Sequence, residues 1–308
     1  MGIVNSATLN ALRTSMSLKF QGAVSSVETQ YQQIATVVPS TTKSNTYGWL
    51  GQMPEFREWV GDRQFKDLQE HSYSIENKTF EASVIVKRDD IEDDNLGVYD
   101  PMVKMMGEKG VKFPDKQVFD LLNAGWTTLC YDGQNYFDTD HPVNATHDGS
   151  GADSSVPNVI IDPAYTGEPW YLLDVSQVLK PLIYQERRKL SLITKFNPND
   201  ESVYVSNNFS FGADLRCNAG FGFWQMAVGV KAELTLENVW AAMEMMGDFT
   251  FDGGEPMELN GTLLVVGNGN KRKALQLKNR ENIDEGGTTV SNELQDMIEV
   301  LISPRVKK

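Results

Sequence analysis

The first forty residues carry apolar side chains at spacings of three and four. The stripe consists of Leu9, Leu12, Met16, Phe20, Val24, Val27, Tyr31, Ile34 and Val38. This period predicts one amphipathic helix, capped at Asn5 or Ser6 and ended by Pro39. Two interpretations stay open: the helix covers the core of its own subunit, or it is an arm that packs on a neighbouring subunit. In the second case the contact residues are Leu12, Met16, Phe20, Val27 and Tyr31.

Aromatic residues are dense between residues 47 and 80. They are Tyr47, Trp49, Phe56, Trp59, Phe65, Tyr73 and Phe80. Gly61-Asp62 separates two strand-like runs, 56–60 and 63–66, which indicates a hairpin. A lone hairpin is only marginally stable, and a cluster of exposed aromatics marks an interaction site. We therefore expect its apolar side chains to be buried by a neighbouring subunit.

Residues 78–124 predict a strand followed by two helical pieces. Phe80, Ala82, Val84 and Val86 alternate with polar residues, as in a strand with one buried face. An acidic run, 89–94, then precedes a helical stripe formed by Val98, Met102, Met105, Met106 and Val111. Pro114 starts a second helical piece at its first turn, and Gly125 ends it.

The remaining segments do not follow a regular strand–helix rhythm. An exposed loop is expected at 146–157, a helix capped by Thr235 through Met246, a short basic helix at 270–277 and a last element at 290–302. Strands are expected at 170–173, 182–185, 203–205, 223–228 and 262–266. The mixture favours the α+β class over a doubly wound sheet.

The net charge of the chain limits the classes of molecule that it is expected to bind. The chain has 308 residues, with Lys+Arg 28 against Asp+Glu 42, and a formal net charge of −14. General polyanion binding is unfavourable for such a chain, because it depends on Lys and Arg releasing counterions. The start lacks the pattern of a signal peptide, and apolar runs such as Leu263–Val266 are too short for a membrane span, so we expect no membrane partner.

Three candidate chemistries are weaker than their structural explanations. Asp138, Asp140 and His141 could share a cation, but turn residues before a proline explain the same string, and we expect His141 to be a turn residue without metal. The run 267–271 (GNGNK) lacks the Ser/Thr of a phosphate loop and predicts a plain strand–turn–helix joint. Neither Cys130 nor Cys217 lies in a nucleophile motif. We expect no enzyme activity and no cofactor.

Six strings, taken together, resemble one family over nearly the whole chain. They are REWVGDR (57–63), IENKTFEASVIVKRDDIEDDNLG (75–97), YFDTDHPV (136–143), PWYLLDVSQVLKPLIYQERR (169–188), FSFGADLRCNAGFGFWQMA (209–227) and GTLLVVGNGNKRKAL (261–275). In order and spacing they are similar to the major head (capsid) subunit of Mu-like tailed phages.

The resemblance implies the Hong Kong 97 type of phage capsid fold. It places an N-terminal arm at 1–45, an E-loop hairpin at 46–76 and, at 77–130, a peripheral-domain strand with the spine helix. Residues 131–290 would form mainly the axial domain, with returns to the peripheral domain, and 291–308 the C-terminal strand and tail. The final strand, 299–303, would return to the peripheral domain.

The function implied is a shell subunit. It would assemble as hexamers and pentamers into an icosahedral shell around packaged double-stranded DNA, which it would touch weakly and without specificity. A scaffolding protein, a portal and possible decoration proteins would be its partners, with assembly in the bacterial cytoplasm and residence in the virion. The E-loop contacts would be Trp49, Phe56, Arg57, Trp59, Arg63 and Phe65. An encapsulin-like compartment shell on the same fold is the alternative.

Overall fold

The computed structural model describes residues 6–48, 50, 73–93, 97, 99–146, 149–197, 200–285, 287–295 and 297–308. The helices are α1 (Ser6–Ser25), α2 (Tyr31–Ile34), α3 (Arg88–Glu92), α4 (Asp100–Val111), α5 (Phe113–Ala124), α6 (Glu201–Ser206), α7 (Leu236–Gly247) and α8 (Lys271–Asn279). The strands are β1 (Ala35–Pro39), β2 (Ser44–Thr46), β3 (Ser74–Glu76), β4 (Lys78–Lys87), β5 (His141–Asn144), β6 (Asp153–Val156), β7 (Val159–Ile161), β8 (Trp170–Leu173), β9 (Leu182–Lys195), β10 (Asn208–Phe221), β11 (Ala227–Lys231), β12 (Leu263–Val266), β13 (Asn282–Glu285), β14 (Thr288–Ser291) and β15 (Glu299–Ile302). Helix and sheet are mixed without regular alternation, which confirms the α+β class.

The N-terminal segment is not one helix. Helix α1 ends at Ser25, the single turn α2 follows, and residues 35–39 form β1, which pairs in parallel with β9. The prediction of a continuous helix to Pro39 is therefore wrong beyond residue 25. Thr36, Val37 and Val38 are β-branched, and such side chains fit a sheet better than a helix once a partner strand is available.

A four-stranded sheet in the order β1-β9-β10-β4 carries the helical layer. Strands β9 and β10 are 14 residues long, and β10 pairs antiparallel with both β9 and β4. Alternate residues of β10 are buried, from Phe209 through Phe211, Ala213 and Leu215. This face packs against α1, α4 and α5.

A five-stranded sheet in the order β15-β12-β8-β11-β7 forms the other half of the chain. Its central strands β8 and β12 are completely buried, and α7 and α8 pack on them and their neighbours. The final strand β15 pairs in parallel with β12 of this sheet. The expectation that it returns to the peripheral domain stays a prediction.

Most of the other predicted elements are present. The two pieces α4 and α5 meet at Lys112, with Pro114 in the first turn of α5, as expected. The Thr235 side chain caps α7 by accepting a hydrogen bond from the backbone N–H of Asn238 at 3.1 Å. Three predictions are wrong: residues 203–205 lie in α6 rather than a strand, residues 224–226 form a 3-10 turn before β11, and the loop at 146–157 contains β6, the second strand of a β5–β6 hairpin. Asn207, at φ 53°, ends α6, because a short polar side chain tolerates the left-handed region.

Candidate assembly surfaces

The apolar stripe of α1 lies in the subunit's own core. Leu12, Met16 and Phe20 are 8%, 1% and 4% exposed and pack with Val103 of α4 and with β10. Tyr31 of α2 is also buried, with its ring 4.9 Å from that of Tyr184 at 61°. The expectation that the stripe packs outside the body of the subunit is therefore corrected: the core-covering alternative is what the structure shows.

Val27 is the exception among the predicted arm contacts, since it lies between α1 and α2 and is only half-buried. Contact with a neighbouring subunit through Leu12, Met16, Phe20, Val27 or Tyr31 stays a prediction. For the first three and Tyr31, such contact would require the N-terminal segment to leave its present packing.

A buried carboxylate fixes the N-terminal segment to α5. The Asp115 Oδ1 atom accepts hydrogen bonds from the backbone N–H groups of Gln30 and Tyr31 at 2.8 and 2.7 Å. The Gln30 side chain in turn donates to the carbonyl of Ile302 at 3.0 Å. Asp115 thereby satisfies the N-terminal amides of α2 as a capping side chain would. This role of Asp115 is not evident from the sequence, because the partners lie 84 and 85 positions away.

The expected E-loop begins and ends at a described two-stranded ladder. Strands β2 and β3 pair antiparallel, with Ser44 opposite Glu76 and Thr46 opposite Ser74. Just inside this ladder, the Tyr47 hydroxyl lies 2.8 Å from the Gln185 side chain, and the Tyr73 hydroxyl accepts the Phe221 N–H at 2.9 Å. Both ends of segment 47–73 are thus fixed to β9 and β10.

The aromatic and basic residues predicted as E-loop contacts lie outside the described residues. These are Trp49, Phe56, Arg57, Trp59, Arg63 and Phe65. Their role in assembly stays a prediction.

An apolar groove of about 320 Å³ separates α4 from the edge strand β4. Its walls include Phe80 and Val84 of β4, Met102 and Met105 of α4, and Leu190 of β9. Met102 and Met105 are 45% and 50% exposed, whereas Val103 and Met106 are buried. The methionine stripe predicted on α4 therefore does not face the core along its whole width: Met102 and Met105 line the groove, whereas Met106 is buried.

His141 is not a turn residue. It begins β5, is fully buried and stacks on Trp224 with ring centroids 4.0 Å apart at 9°. Its Nδ1 atom lies 2.7 Å from the Asp132 carboxylate, while Nε2 is buried without a hydrogen-bond partner. His141 is directed to Asp132 rather than to Asp138, which accepts hydrogen bonds from Asn135 and Thr139.

Cys130 completes a buried hydrogen-bonded group with Asp132 and His141. Their potential ligand atoms lie within 4.8 Å of one another. However, the Cys130 thiol donates to Asp132 Oδ1 at 3.0 Å and His141 Nδ1 approaches Oδ2. Burial opposes ionisation of Asp132, but the hydrogen bonds from His141 and Cys130 prevail and lower its pKa. Both Asp132 oxygens thus have hydrogen-bond partners, whereas His141 Nε2 has none, and the absence of a metal at His141 stays a prediction.

The glycine-rich turn after β12 binds a carboxylate of the chain itself, that of Glu168. The Glu168 carboxylate accepts the Gly269 N–H at 2.8 Å, and the Asn270 side chain donates to the Glu168 carbonyl at 3.0 Å. A Cβ atom on Gly267 would lie 2.3 Å from the Glu168 carboxylate. The run 267–271 is thus the strand–turn–helix joint expected from the sequence, with Glu168 in the place of a phosphate.

Neither cysteine has the environment of a nucleophile. Cys130 and Cys217 are buried, and burial raises the pKa of the Cys217 thiol to about 11. Burial also raises the pKa of the Cys130 thiol, and the Asp132 charge adds to that rise. Reactive thiols need a lowered pKa and access to solvent, so both residues fill structural positions.

Among the described residues, no helix combines the length and hydropathy required to cross a bilayer.

Comparison with known proteins gives matches along the full chain. Residues 9–306 match the family model described as Mu-like prophage major head subunit gpT. The major capsid protein of Escherichia phage Mu is 47% identical over 301 residues, covering 98% of this chain and 99% of the relative. The Mu-like prophage FluMu major head subunit of Haemophilus influenzae is 44% identical, covering 96% and 97%.

Solved structures agree with the sequence relatives. The procapsid of bacteriophage JBD30 matches with a TM-score of 0.84 and 44% identity, covering 98% of this chain and 100% of that chain. The JBD30 capsid matches at 0.77 and 33%, covering 99% and 100%. A JBD30 capsid decorated with minor capsid protein trimers matches at 0.75 and 34%, covering 94% of each chain.

These matches confirm the phage capsid fold and a structural rather than an enzymatic role. The alternative of an encapsulin-like compartment is not favoured, because the full-length relatives are phage head proteins. The chain belongs to the family of Mu-like major head subunits and is the major capsid protein of a Mu-like phage or prophage head.

Proposed function

We propose that this head subunit assembles as hexamers and pentamers into an icosahedral shell around packaged double-stranded DNA. The observation that carries the proposal is the full-length match to the subunit of both a procapsid and a capsid. One chain must then form several different contacts with copies of itself, and repeated heterologous contacts of that kind close into rings.

The surfaces proposed for these contacts are the N-terminal segment, 1–45, and the E-loop, 46–76. The E-loop contributes large aromatics with flanking arginines, the residue types that dominate interface energies. The peripheral domain would comprise 77–130 with the long strands of the four-stranded sheet. The axial domain would lie mainly within 131–290, and 291–308 would form the terminal strand and tail.

The net charge of −14 supports weak, non-specific contact with the enclosed DNA. Tight phosphate binding would need an excess of Lys and Arg on the inner wall. A scaffolding protein, a portal and decoration proteins are proposed as further partners. The decorated JBD30 capsid supports the last of these. Assembly is proposed to take place in the cytoplasm of the bacterial host.

Electron microscopy of the chain, expressed alone and with its neighbouring head genes, tests the proposal. Closed shells, tubes or ring-shaped capsomers are expected. A single small oligomer under every condition would contradict it.

The E-loop is tested by Trp59→Ala. We expect a folded subunit with wild-type circular dichroism that sediments only as small species. Tyr204→Ala is the matched control, because Tyr204 is an aromatic residue 88% exposed on α6. Normal shells from Trp59→Ala would remove Trp59 as an anchor, and a misfolded monomer would place it in the subunit's own core.

A further inference from the structure

The β2–β3 ladder lies across one face of the four-stranded sheet. Strand β4 pairs with β10 as far as Lys78, opposite Cys217, and this pairing ends at Asn77. On the N-terminal side of Asn77 the chain turns over the sheet, because a Cβ atom built on Gly220 of β10 would overlap the Ile75 side chain of β3. The ladder therefore crosses β10 instead of continuing beside it, and no strand pairing among the described residues joins it to the sheet.

Two amide side chains, here called the amide pair, hold the ladder on the sheet. Gln185 of β9 and Asn218 of β10 lie directly opposite each other, so their side chains share one face. The Gln185 Nε2 atom donates to the Ile75 carbonyl at 3.1 Å, and the Asn218 Nδ2 atom donates to the next carbonyl, that of Glu76, at 2.7 Å. The Gln185 Oε1 atom also accepts from the Tyr47 hydroxyl at 2.8 Å. Gln185 thus binds both sides of the base of segment 47–73.

The burial of Gln185 indicates that direction matters at this position. The residue is completely buried. An apolar side chain would avoid the cost of desolvating an amide, which only well-formed hydrogen bonds offset. Apolar packing is non-directional, whereas hydrogen bonds at both ends of one amide fix the positions of two partners at once. The amide pair is therefore suited to fixing the direction of the ladder rather than to increasing stability.

A small rotation of the ladder would be amplified along the segment that leaves it. Strands β2 and β3 have three residues each, and so short a two-stranded ladder is marginally stable alone. A hairpin formed by residues 48–72 of the proposed E-loop would reach about 40 Å at about 3.3 Å per residue, so a tilt of about 10° at its base would shift its tip by about 7 Å. A shift of that size exceeds the length of any direct contact, so the contacts at the tip would be lost.

We propose that Gln185 and Asn218 are positioning residues for assembly. They fix the direction in which the E-loop leaves its own subunit, and so determine where its contacts fall on an adjacent copy of this chain. The inference rests on the shell-building function proposed above. Loss of the amide pair should leave a folded subunit whose contacts are wrongly spaced. Open or misshapen assemblies should then replace closed shells, because closure requires a fixed rotation between neighbouring subunits.

Two substitutions in the full chain test the amide pair. Gln185→Met keeps the length of the side chain and removes both hydrogen bonds of the amide, whereas Asn218→Ala removes one hydrogen bond at a half-buried position. Both variants should keep the circular dichroism of the wild type. The yield of closed shells, measured by sedimentation and electron microscopy, should fall about tenfold for Gln185→Met and about threefold for Asn218→Ala.

Controls separate positioning from a loss of stability. Asn238→Ala is matched to Asn218→Ala, because the half-buried Asn238 side chain also donates to a backbone carbonyl, that of Glu233, at 2.7 Å. Val265→Ala opens a cavity in the five-stranded sheet and lowers stability without touching the ladder. Both controls should form closed shells at wild-type yield. Mixed with an excess of wild type, Gln185→Met should enter closed shells, because its surface still receives a correctly directed E-loop.

Closed shells at wild-type yield from Gln185→Met would overturn the proposal, as would its exclusion from mixed shells. Equal loss of shells in Val265→Ala at equal stability towards denaturant would show that assembly follows stability alone, and would also overturn it. If Gln185→Met does not fold, Asn218→Ala decides, and a shell yield no lower than that of Asn238→Ala overturns the proposal. A wild-type chain that forms neither rings nor shells would instead contradict the proposed assembly itself, and with it this inference.

Discussion

A close approach between α1 and α4 allows the packing of the N-terminal helix to be tested with one side chain. Gly107 of α4 is buried, and a Cβ atom built on it would lie 3.0 Å from the Phe20 carbonyl oxygen and 3.1 Å from the Ala23 Cβ. The carbonyl oxygen belongs to the backbone of α1, so it cannot rotate away as a flexible side chain could. We therefore expect Gly107→Val to push α1 away from α4.

The magnitude follows from two opposing effects. Overpacking a filled site costs about 1–3 kcal/mol. Replacing glycine by valine inside a helix returns only about 0.3 kcal/mol of helix propensity. The free energy of unfolding should therefore fall by about 1–2.5 kcal/mol. Denaturant unfolding of the unassembled subunit, followed by circular dichroism, measures this difference.

Gly22→Val is the matched control, because Gly22 lies in α1 and a Cβ atom there meets nothing within 4 Å. It should leave stability unchanged or raise it by a few tenths of a kcal/mol. If Gly107→Val proves as stable as Gly22→Val, α1 does not pack on α4 in the free subunit. The helix would then be the external arm that the sequence also allowed.

Further expectations concern four buried or capping groups. His141→Ala should lower the free energy of unfolding by about 2–4 kcal/mol, because it opens a void beside Trp224 and removes a hydrogen-bond donor from the buried Asp132 carboxylate. A decrease of less than about 0.5 kcal/mol would contradict this. The pKa of Asp132 is lowered in the folded state, so its ionised carboxylate should stabilise the subunit at pH values above the unfolded-state pKa of about 3.9. This stabilisation should be lost as the pH falls further. In urea titrations, the difference in the free energy of unfolding between wild type and Asp132→Asn should therefore narrow only below about pH 4. Asp115→Ala should cost about 1–2 kcal/mol in the same assay, against less than about 0.5 for the exposed control Asp120→Ala. Glu168→Ala should cost about 1 kcal/mol, and equal stability of variant and wild type would show that the Gly269 hydrogen bond is unimportant.

The elements predicted well from sequence are those determined by local chemistry. Within a helix Pro114 is tolerated only in the first turn, and Thr235 offers a side-chain acceptor to the next turn, so α5 and α7 start where expected. The buried strand at 263–266 and the helix that follows it were likewise predicted from the sequence. Strand β10 was missed, although Phe209, Phe211, Ala213 and Leu215 alternate with polar residues in the sequence itself.

The wrong predictions concern segments whose structure depends on a partner that is far away in the sequence. Residues 35–38 continue the helical spacing of α1, but β9 offers a parallel strand about 147 positions away, and pairing prevails over the local period. His141 resembles a turn residue because Pro142 follows it, yet Asp132 and Trp224 bury it.

The parallel pairing of β1 with β9 has a consequence for the order in which the chain folds. Ala35 lies opposite Leu182, and Gln30 binds the carbonyl of Ile302, only six residues from the C-terminus. Contacts of such sequence separation slow folding, because the entropy of closing a long loop is lost before the contact stabilises anything. The N-terminal segment therefore cannot complete its contacts until β9 and β15 have been synthesised. Its docking is a late step in the folding of the subunit, after most of the chain is available.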